Sequence, residues 1–311
     1  MLLSIFLVVL GIVLLFGGGE VLVESAKKLA FAFGMSPMVV GLTVVAFATS
    51  APELAAALTA NLKGSPDLAV GNAVGSNIAN IGLILGTTAL FFTLPATTRF
   101  ISRELAFMIV VTLVSYPLML TDRRLERLEG GFMFLLLALF LWFLLRDPDH
   151  QQEHAVEAGD DEAPIWKSVL GVAFGVALLV GGAQSLVIGA SDIARGLGIS
   201  ERVIGLTVVA IGTSLPELAA SLVAGRKGET DIIMGNIIGS NIFNLLCILG
   251  VTALVSPLQV AEAAVGIDYW MMLGIALLLL AFLGLTRRLT HVEGFALLAV
   301  YVGYSVYLFM A

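Results

Sequence analysis

Two glutamates stand where a carboxylate is costly. Glu53 ends the stretch FATSAPE (47–53) and Glu217 ends IGTSLPE (211–217), each directly after a proline, in surroundings apolar enough to lie in hydrocarbon. A charge near the middle of a membrane helix costs at least about 3 kcal/mol, so each carboxylate must be protonated, paired or bound to something cationic. No Lys or Arg falls within either stretch; Lys63, Arg226 and Lys227 sit at the predicted helix ends. The partner left is a proton or a mobile cation. Thr49 and Thr213 come four residues earlier, which projects hydroxyl and carboxylate from roughly one helix face. Pro52 and Pro216 lack an N–H and push on the carbonyls of Ala48 and Gly212, so both helices are expected to bend or break there. Backbone freed in hydrocarbon is tolerated only where it faces protein or lines a cavity.

The next helix of each copy adds more oxygen. GNAVGSNIAN (71–80) sets Asn72, Ser76 and Asn80 at i, i+4 and i+8, and GNIIGSNIFN (235–244) repeats the stripe as Asn236, Ser240 and Asn244. Beside it, Gly71 and Gly75, and again Gly235 and Gly239, form GxxxG, which lets two helices approach closely. The ligand types are carboxylate, hydroxyl, amide and carbonyl oxygen. His150, His154 and His291 all fall in predicted loops, and the single Cys247 excludes a disulfide framework or a thiolate cluster. An all-oxygen set suits hard cations: Ca²⁺ takes about 6 to 8 oxygens, whereas zinc and copper recruit nitrogen or sulfur. Two glutamates match the charge of one Ca²⁺, and the same oxygens could hold Na⁺. A hydrolase built on Ser50 or Ser214 lacks a base, since no membrane histidine or lysine is placed to serve. A passive cation channel uses similar oxygen chemistry, and a buried Glu can trade a cation for a proton, so both stay open as alternatives. Nothing points to an enzyme, a cofactor, nucleic acid or a protein partner, and a monomer suffices.

These residues need a membrane scaffold. Of 311 residues, 59% are hydrophobic and 13% charged, and the mean hydropathy is +1.03, beyond the range of soluble domains. The N-terminal stretch has no basic region or cleavage site and is expected to be a first membrane helix. Residues 146–164 hold seven acids and one Arg, leaving the rest nearly neutral. Shifting the sequence by 164 residues aligns 41–86 with 205–250 without a gap, 28 of 46 positions being identical, so the chain is an internal duplication. Five spans are expected per half: about 2–31, 37–61, 66–91, 100–120 and 129–145, then 166–195, 201–225, 230–256, 267–285 and 291–310. The organisation is a first five-helix repeat (1–145), an acidic linker (146–165) and a second five-helix repeat (166–311). An odd number per half brings the second copy in from the opposite side, so the fold class is an all-α membrane protein of two inverted repeats with helices 2 and 7 broken. Linker-side loops hold ten of the sixteen Lys and Arg residues, which predicts a plasma (inner) membrane protein with a cytoplasmic linker and external termini.

GLTVVAFATSAPE with GNAVGSNIAN, and GLTVVAIGTSLPE with GNIIGSNIFN, resemble the two α-repeats of the cation/calcium exchanger superfamily, in its prokaryotic sodium/calcium branch. The resemblance implies antiport of Ca²⁺ against Na⁺ by alternating access. It implies that Glu53 and Glu217 ligate both ions, with Thr49, Ser50, Ser76, Thr213, Ser214, Ser240 and the carbonyls of Ala46 and Ala210 completing the metal sites. The first and sixth helices would slide as gates. Some relatives carry Asp where this chain has Asn244; here Asn80 and Asn244 are both neutral, which points to a potassium-independent exchanger. Glu20, whose repeat partner is Gln184, is read as facing a groove or the interface ahead of any gating role. Asp67 and Asp231 are expected to cap helix starts, and Glu24 with Lys28 to form an i, i+4 pair.

Overall fold

The computed structural model describes residues 1–147, 164–199, 204, 208 and 210–310. Nine helices among them are long and apolar enough to cross a membrane. They are α1 (Leu2–Ala32), α2 (Pro37–Leu62), α3 (Pro66–Phe91), α4 (Thr98–Leu120), α5 (Arg127–Arg146), α6 (Ile165–Gly196), α8 (Thr230–Val255), α9 (Ile267–Thr286) and α10 (His291–Leu308). The tenth expected span is present in part, as a turn of helix at Ala210–Gly212 followed by α7 (Leu215–Arg226). Its first residues, and the acidic linker, lie outside the described residues.

The 164-residue shift read in the motifs governs the whole bundle. The helices α5 and α10 begin with the same device: the Glu129 carboxylate accepts from the Glu126 backbone N–H at 3.1 Å, and Glu293 accepts from the Thr290 N–H at 3.0 Å. Each satisfies a donor that a helix start leaves orphaned. Two short antiparallel ladders tie loops of different halves, β1 (Leu94–Pro95) to β4 (Arg288–Leu289) and β2 (Arg124–Leu125) to β3 (Leu258–Gln259). Adding 164 turns β1 into β3 and β2 into β4. Because α4 separates β1 from β2, and β3 pairs with β2, the two copies of one loop lie at opposite ends of the bundle. That is the inversion.

Glycine contacts follow the same axis. α1 and α6 cross antiparallel where a Cβ on Gly11 would come within 2.7 Å of the Gly182 carbonyl, and one on Gly18 within 2.8 Å of the Gly175 carbonyl. Gly130 meets Gly250 between α5 and α8 as Gly294 meets Gly86 between α10 and α3. The expected close approach at GxxxG holds for Gly235 and Gly239, whose added Cβ atoms would meet the Met38 and Leu42 carbonyls at 2.5 and 2.7 Å. A Cβ on Gly71 or Gly75 meets nothing within 4 Å among the described residues; residues 202–206, equivalent to the Met38–Leu42 segment, fall largely outside them. Without a hydrophobic force between helices in lipid, such close backbone contact is a main source of packing energy.

Depth in the bundle sorts the helices by role. The apolar windows of α3 and α8 are 72% and 89% buried, whereas those of α1 and α6 are 28% buried. α3 and α8 are the centre; α1 and α6 lie against its flank.

Candidate functional site

The asparagines of α3 and α8 interlock across the pseudo-two-fold axis. Asn80 donates its Nδ2 proton to Asn241 Oδ1 at 3.0 Å, and Asn244 donates to Asn77 Oδ1 at 2.9 Å. Each bond maps onto the other when 164 is added to one residue and subtracted from its partner. Sulfur contacts repeat the relation, Asn77 Nδ2 to Met272 and Asn241 Nδ2 to Met108, both at 3.5 Å. Asn77 Nδ2 also reaches the Asn241 carbonyl at 3.2 Å. An amide whose N–H is held has its oxygen direction decided, and Asn244 Oδ1 is left with no hydrogen-bond partner among the described residues. A π-helical turn begins at each of these residues, Asn80–Leu85 and Asn244–Leu249. Such bulges are frequent at functional sites because they re-aim side chains and backbone within a helix.

The glutamates lie against this centre. Glu53 and Glu217 are each 2% exposed, and the charge of one acts on the other. Thr49 donates toward Asn236 Oδ1 at 3.2 Å and toward the Ala46 carbonyl at 3.4 Å. That one hydroxyl joins the first repeat to the second. Ser50, Ser76, Ser214 and Ser240 are buried, Thr213 is half-buried, and Asn72 borders the stripe. Ala46 is buried; Ala210 begins the short helical turn before the break.

The two prolines act differently. In the second copy the helix is interrupted at Thr213 and Ser214, and α7 starts anew with Pro216 in its first turn, where a missing N–H costs nothing. Glu217 then sits in that same first turn, where the helix dipole favours a negative charge. In the first copy the helix runs on through Pro52; a π-helical turn lies upstream at Gly41–Val45, and Val208, the equivalent of Val44, is π-helical in the second copy as well. The break expected in both copies is seen at Thr213 and Ser214 in the second, whereas the first is continuous through Pro52.

Among the described residues, Glu53 Oε2, Glu217 Oε2, Ser50 Oγ, Ser240 Oγ and Asn244 Oδ1 are buried oxygens with no hydrogen-bond partner, and no Lys or Arg pairs with either glutamate. Buried polar atoms are nearly always satisfied, so a cluster of unsatisfied oxygens calls for a positive ligand. Among the described residues no group of three or more His, Cys, Asp or Glu side chains converges, so two carboxylates carry the charge. Ser221, one turn after Glu217, is a further buried, unpartnered hydroxyl. Sequence reasoning passed over it, and over Asn77 and Asn241. The signal for the asparagines was the Ser-Asn-Ile-x-Asn string in both copies; Ser221 had none beyond its spacing, because its repeat partner is Ala57.

The family model of the sodium/calcium exchanger protein matches residues 3–146 and again 167–310. The chain belongs to the sodium/calcium exchanger family. It is 43% identical, over 99% of both chains, to CaxA of Alkalimonas amylolytica, which is named as an antiporter. It is 32% identical, over 98% of both, to the sodium/calcium exchanger MaX1 of Methanosarcina acetivorans. Its fold superposes on the sodium-calcium exchanger NCX_Mj, from crystals soaked with Na⁺ and Sr²⁺, with a TM-score of 0.83, 28% identity and 97% of each chain covered. Like other sodium/calcium exchangers, it is a multi-pass membrane transporter that exchanges cations, Ca²⁺ among them, and not an enzyme.

Beyond the oxygen cluster, a Glu20 gating role finds a plainer account. Glu20 pairs with Arg226 and with Lys227 at 2.9 Å, beside Glu24–Lys227 at 3.3 Å and Lys27–Glu229 at 2.6 Å. Glu24 and Lys28 form the expected pair at 3.8 Å. Asp67 and Asp231 lie in first turns, two residues past the N-cap positions of Ser65 and Glu229, and so do not occupy the caps expected of them.

Proposed function

We propose that this exchanger moves Ca²⁺ against Na⁺ by alternating access, with Glu53 and Glu217 as the ligands that both ions share. The observation that carries the reading is the pair of deeply buried carboxylates, without a basic partner among the described residues, facing unsatisfied hydroxyl and amide oxygens from both repeats. Two negative charges balance one Ca²⁺ or two Na⁺, so the charge left uncompensated at the centre is the same whichever ion is bound. A site that would be costly when empty favours passing directly from one load to the other, which is the physical content of exchange. Thr49, Ser50, Ser76, Thr213, Ser214, Ser240, Asn80, Asn244 and the carbonyls of Ala46 and Ala210 complete the proposed oxygen set. The neutral asparagines limit the charge to that of the two glutamates.

The names of similar proteins support sodium as the driving ion, MaX1 and NCX_Mj both being sodium/calcium exchangers. We place the protein in the plasma (inner) membrane with the acidic linker on the cytoplasmic side, on the excess of Lys and Arg in linker-side loops. The test is ⁴⁵Ca²⁺ uptake into Na⁺-loaded proteoliposomes, with and without a pH gradient. Uptake should need internal Na⁺ and ignore the pH gradient. Glu53→Gln and Glu217→Gln each leave one carboxylate against a divalent cation, so bound Ca²⁺ is only half-compensated, and each should cut uptake by about a hundredfold or more. Uptake that follows the pH gradient and ignores Na⁺ would overturn the sodium reading in favour of proton exchange. Ca²⁺ flux with no opposing ion would replace it with a channel, and normal transport by either Gln variant would remove that residue from the site.

A further inference from the structure

Between α4 and α5, at the linker end of both helices, runs a groove of about 680 Å³. Its walls are Phe107, Leu136, Leu139, Phe140, Phe143 and Leu144, and its floor is firm where Phe107 and Phe140 stack at 4.5 Å. Arg103, Arg146, Glu104 and Asp147 ring one end. Asp147 bridges Arg99, at 2.6 Å, and Arg103. Arg146 has no carboxylate in ion-pair contact among the described residues; its guanidinium lies over the Trp142 ring at 4.8 Å.

The duplication provides an internal control. The positions equivalent to Arg99, Arg103 and Arg146 in the second repeat are Ala263, Ile267 and Met310, and that of Trp142 is Val306. The fold builds the corresponding corner without a cation, so the arginines are not needed to make it. They sit at the level where α4 starts and α5 ends, the depth of the headgroups for a helix of 20 residues.

We propose that this groove is a binding site for an anionic phospholipid, specific to the linker face of the membrane. The acyl chain lies along Phe107, Leu136, Phe140 and Phe143, where only hydrocarbon is available to fill it. The headgroup phosphate accepts from Arg146, which the Trp142 face orients, and competes with Asp147 for Arg103. A planar guanidinium presents paired donors suited to phosphate oxygens. Asp147 and Glu104 repel any anion, and Asp147 already engages Arg99 and Arg103, so Arg146 sets the preference for anionic over zwitterionic lipid.

Trp142 makes the site readable. Full-length protein carrying Trp166→Phe and Trp270→Phe has Trp142 as its one tryptophan, and brominated phospholipids quench it on contact. In mixed vesicles, brominated phosphatidylglycerol should quench at about a fivefold lower mole fraction than brominated phosphatidylcholine, the preference expected of one arginine near the membrane surface. Arg146→Gln should bring the two lipids to equal potency, while Arg124→Gln, at the other end of the bundle, should leave the preference intact. Equal potency in the parent protein overturns the proposal, as does a preference that survives Arg146→Gln. Protection of Trp142 from both lipids would mean that another copy of the chain covers this face, and overturns it too. Quenching needs no transport, so the result stands apart from the choice of driving ion.

Discussion

Replacing Asn241 by Leu removes the Oδ1 that holds the Asn80 amide. Asn80 is 2% exposed, so its Nδ2 is left as a buried donor with no water to take it. The penalty for such an orphan is about 1–3 kcal/mol. The hydrogen bond itself is worth less, since interhelical side-chain bonds in membranes average about 0.6 kcal/mol by double-mutant cycles. The single variant should therefore lose more than the bond is worth, and adding Asn80→Leu should recover the difference. Asn77→Leu does the same to Asn244 through the 2.9 Å bond on the other side of the axis and also removes the 3.2 Å bond to the Asn241 carbonyl, so it should cost as much or about 1 kcal/mol more. The assay is thermal unfolding in detergent, with Ca²⁺ titrated into each variant. A freed amide can turn its nitrogen toward the glutamates in place of its oxygen, which sets a donor where a cation needs a lone pair. Both singles should accordingly show a weakened Ca²⁺-dependent rise in Tm beyond their loss of stability. An unchanged Ca²⁺ response in both variants would refute the role given to the asparagine interlock. A stability loss in only one would refute its symmetry.

Gly182→Ala should destabilise by about 1–3 kcal/mol, because its Cβ meets the Leu15 nitrogen at 2.8 Å and the Gly11 carbonyl at 2.9 Å; Gly181→Ala, with open space around its Cβ, should be neutral or slightly stabilising, and unfolding in detergent compares the neighbours. Glu20→Gln should change stability by less than about 1 kcal/mol, since its side chain is 33% exposed and its partners are screened; a hundredfold fall in transport with unchanged stability would return Glu20 to a gating role.

Much of this molecule is written along the chain. The gap-free repeat and the odd number of spans between copies dictate an inverted pair, because a chain that crosses five times must re-enter from the other side. The nature of the site is equally local: FATSAPE and IGTSLPE name the carboxylates. These properties depend on residue identity and order, which need no coordinates. His291, expected in a loop, is the first residue of α10, where its ring meets the Ala89 carbonyl rather than the glutamates.

The tertiary structure decided how the copies meet. Thr49 bonds Asn236 across 187 positions, and Asn80 bonds Asn241 across 161; no periodicity within one helix relates such residues. Asn77 looked like filler beside the i, i+4, i+8 stripe until α8 was set against α3, because the stripe describes one helix face and the hydrogen bond needs two. The unequal helix breaks at Pro52 and Pro216 have the same origin. Both prolines disturb the backbone four residues back, but whether a helix opens there depends on what packs around it: it opens at Thr213 and Ser214 and runs on through Pro52. Sequence determined which atoms could hold a cation; packing decided which of those oxygens are held in place and which stay free to bind.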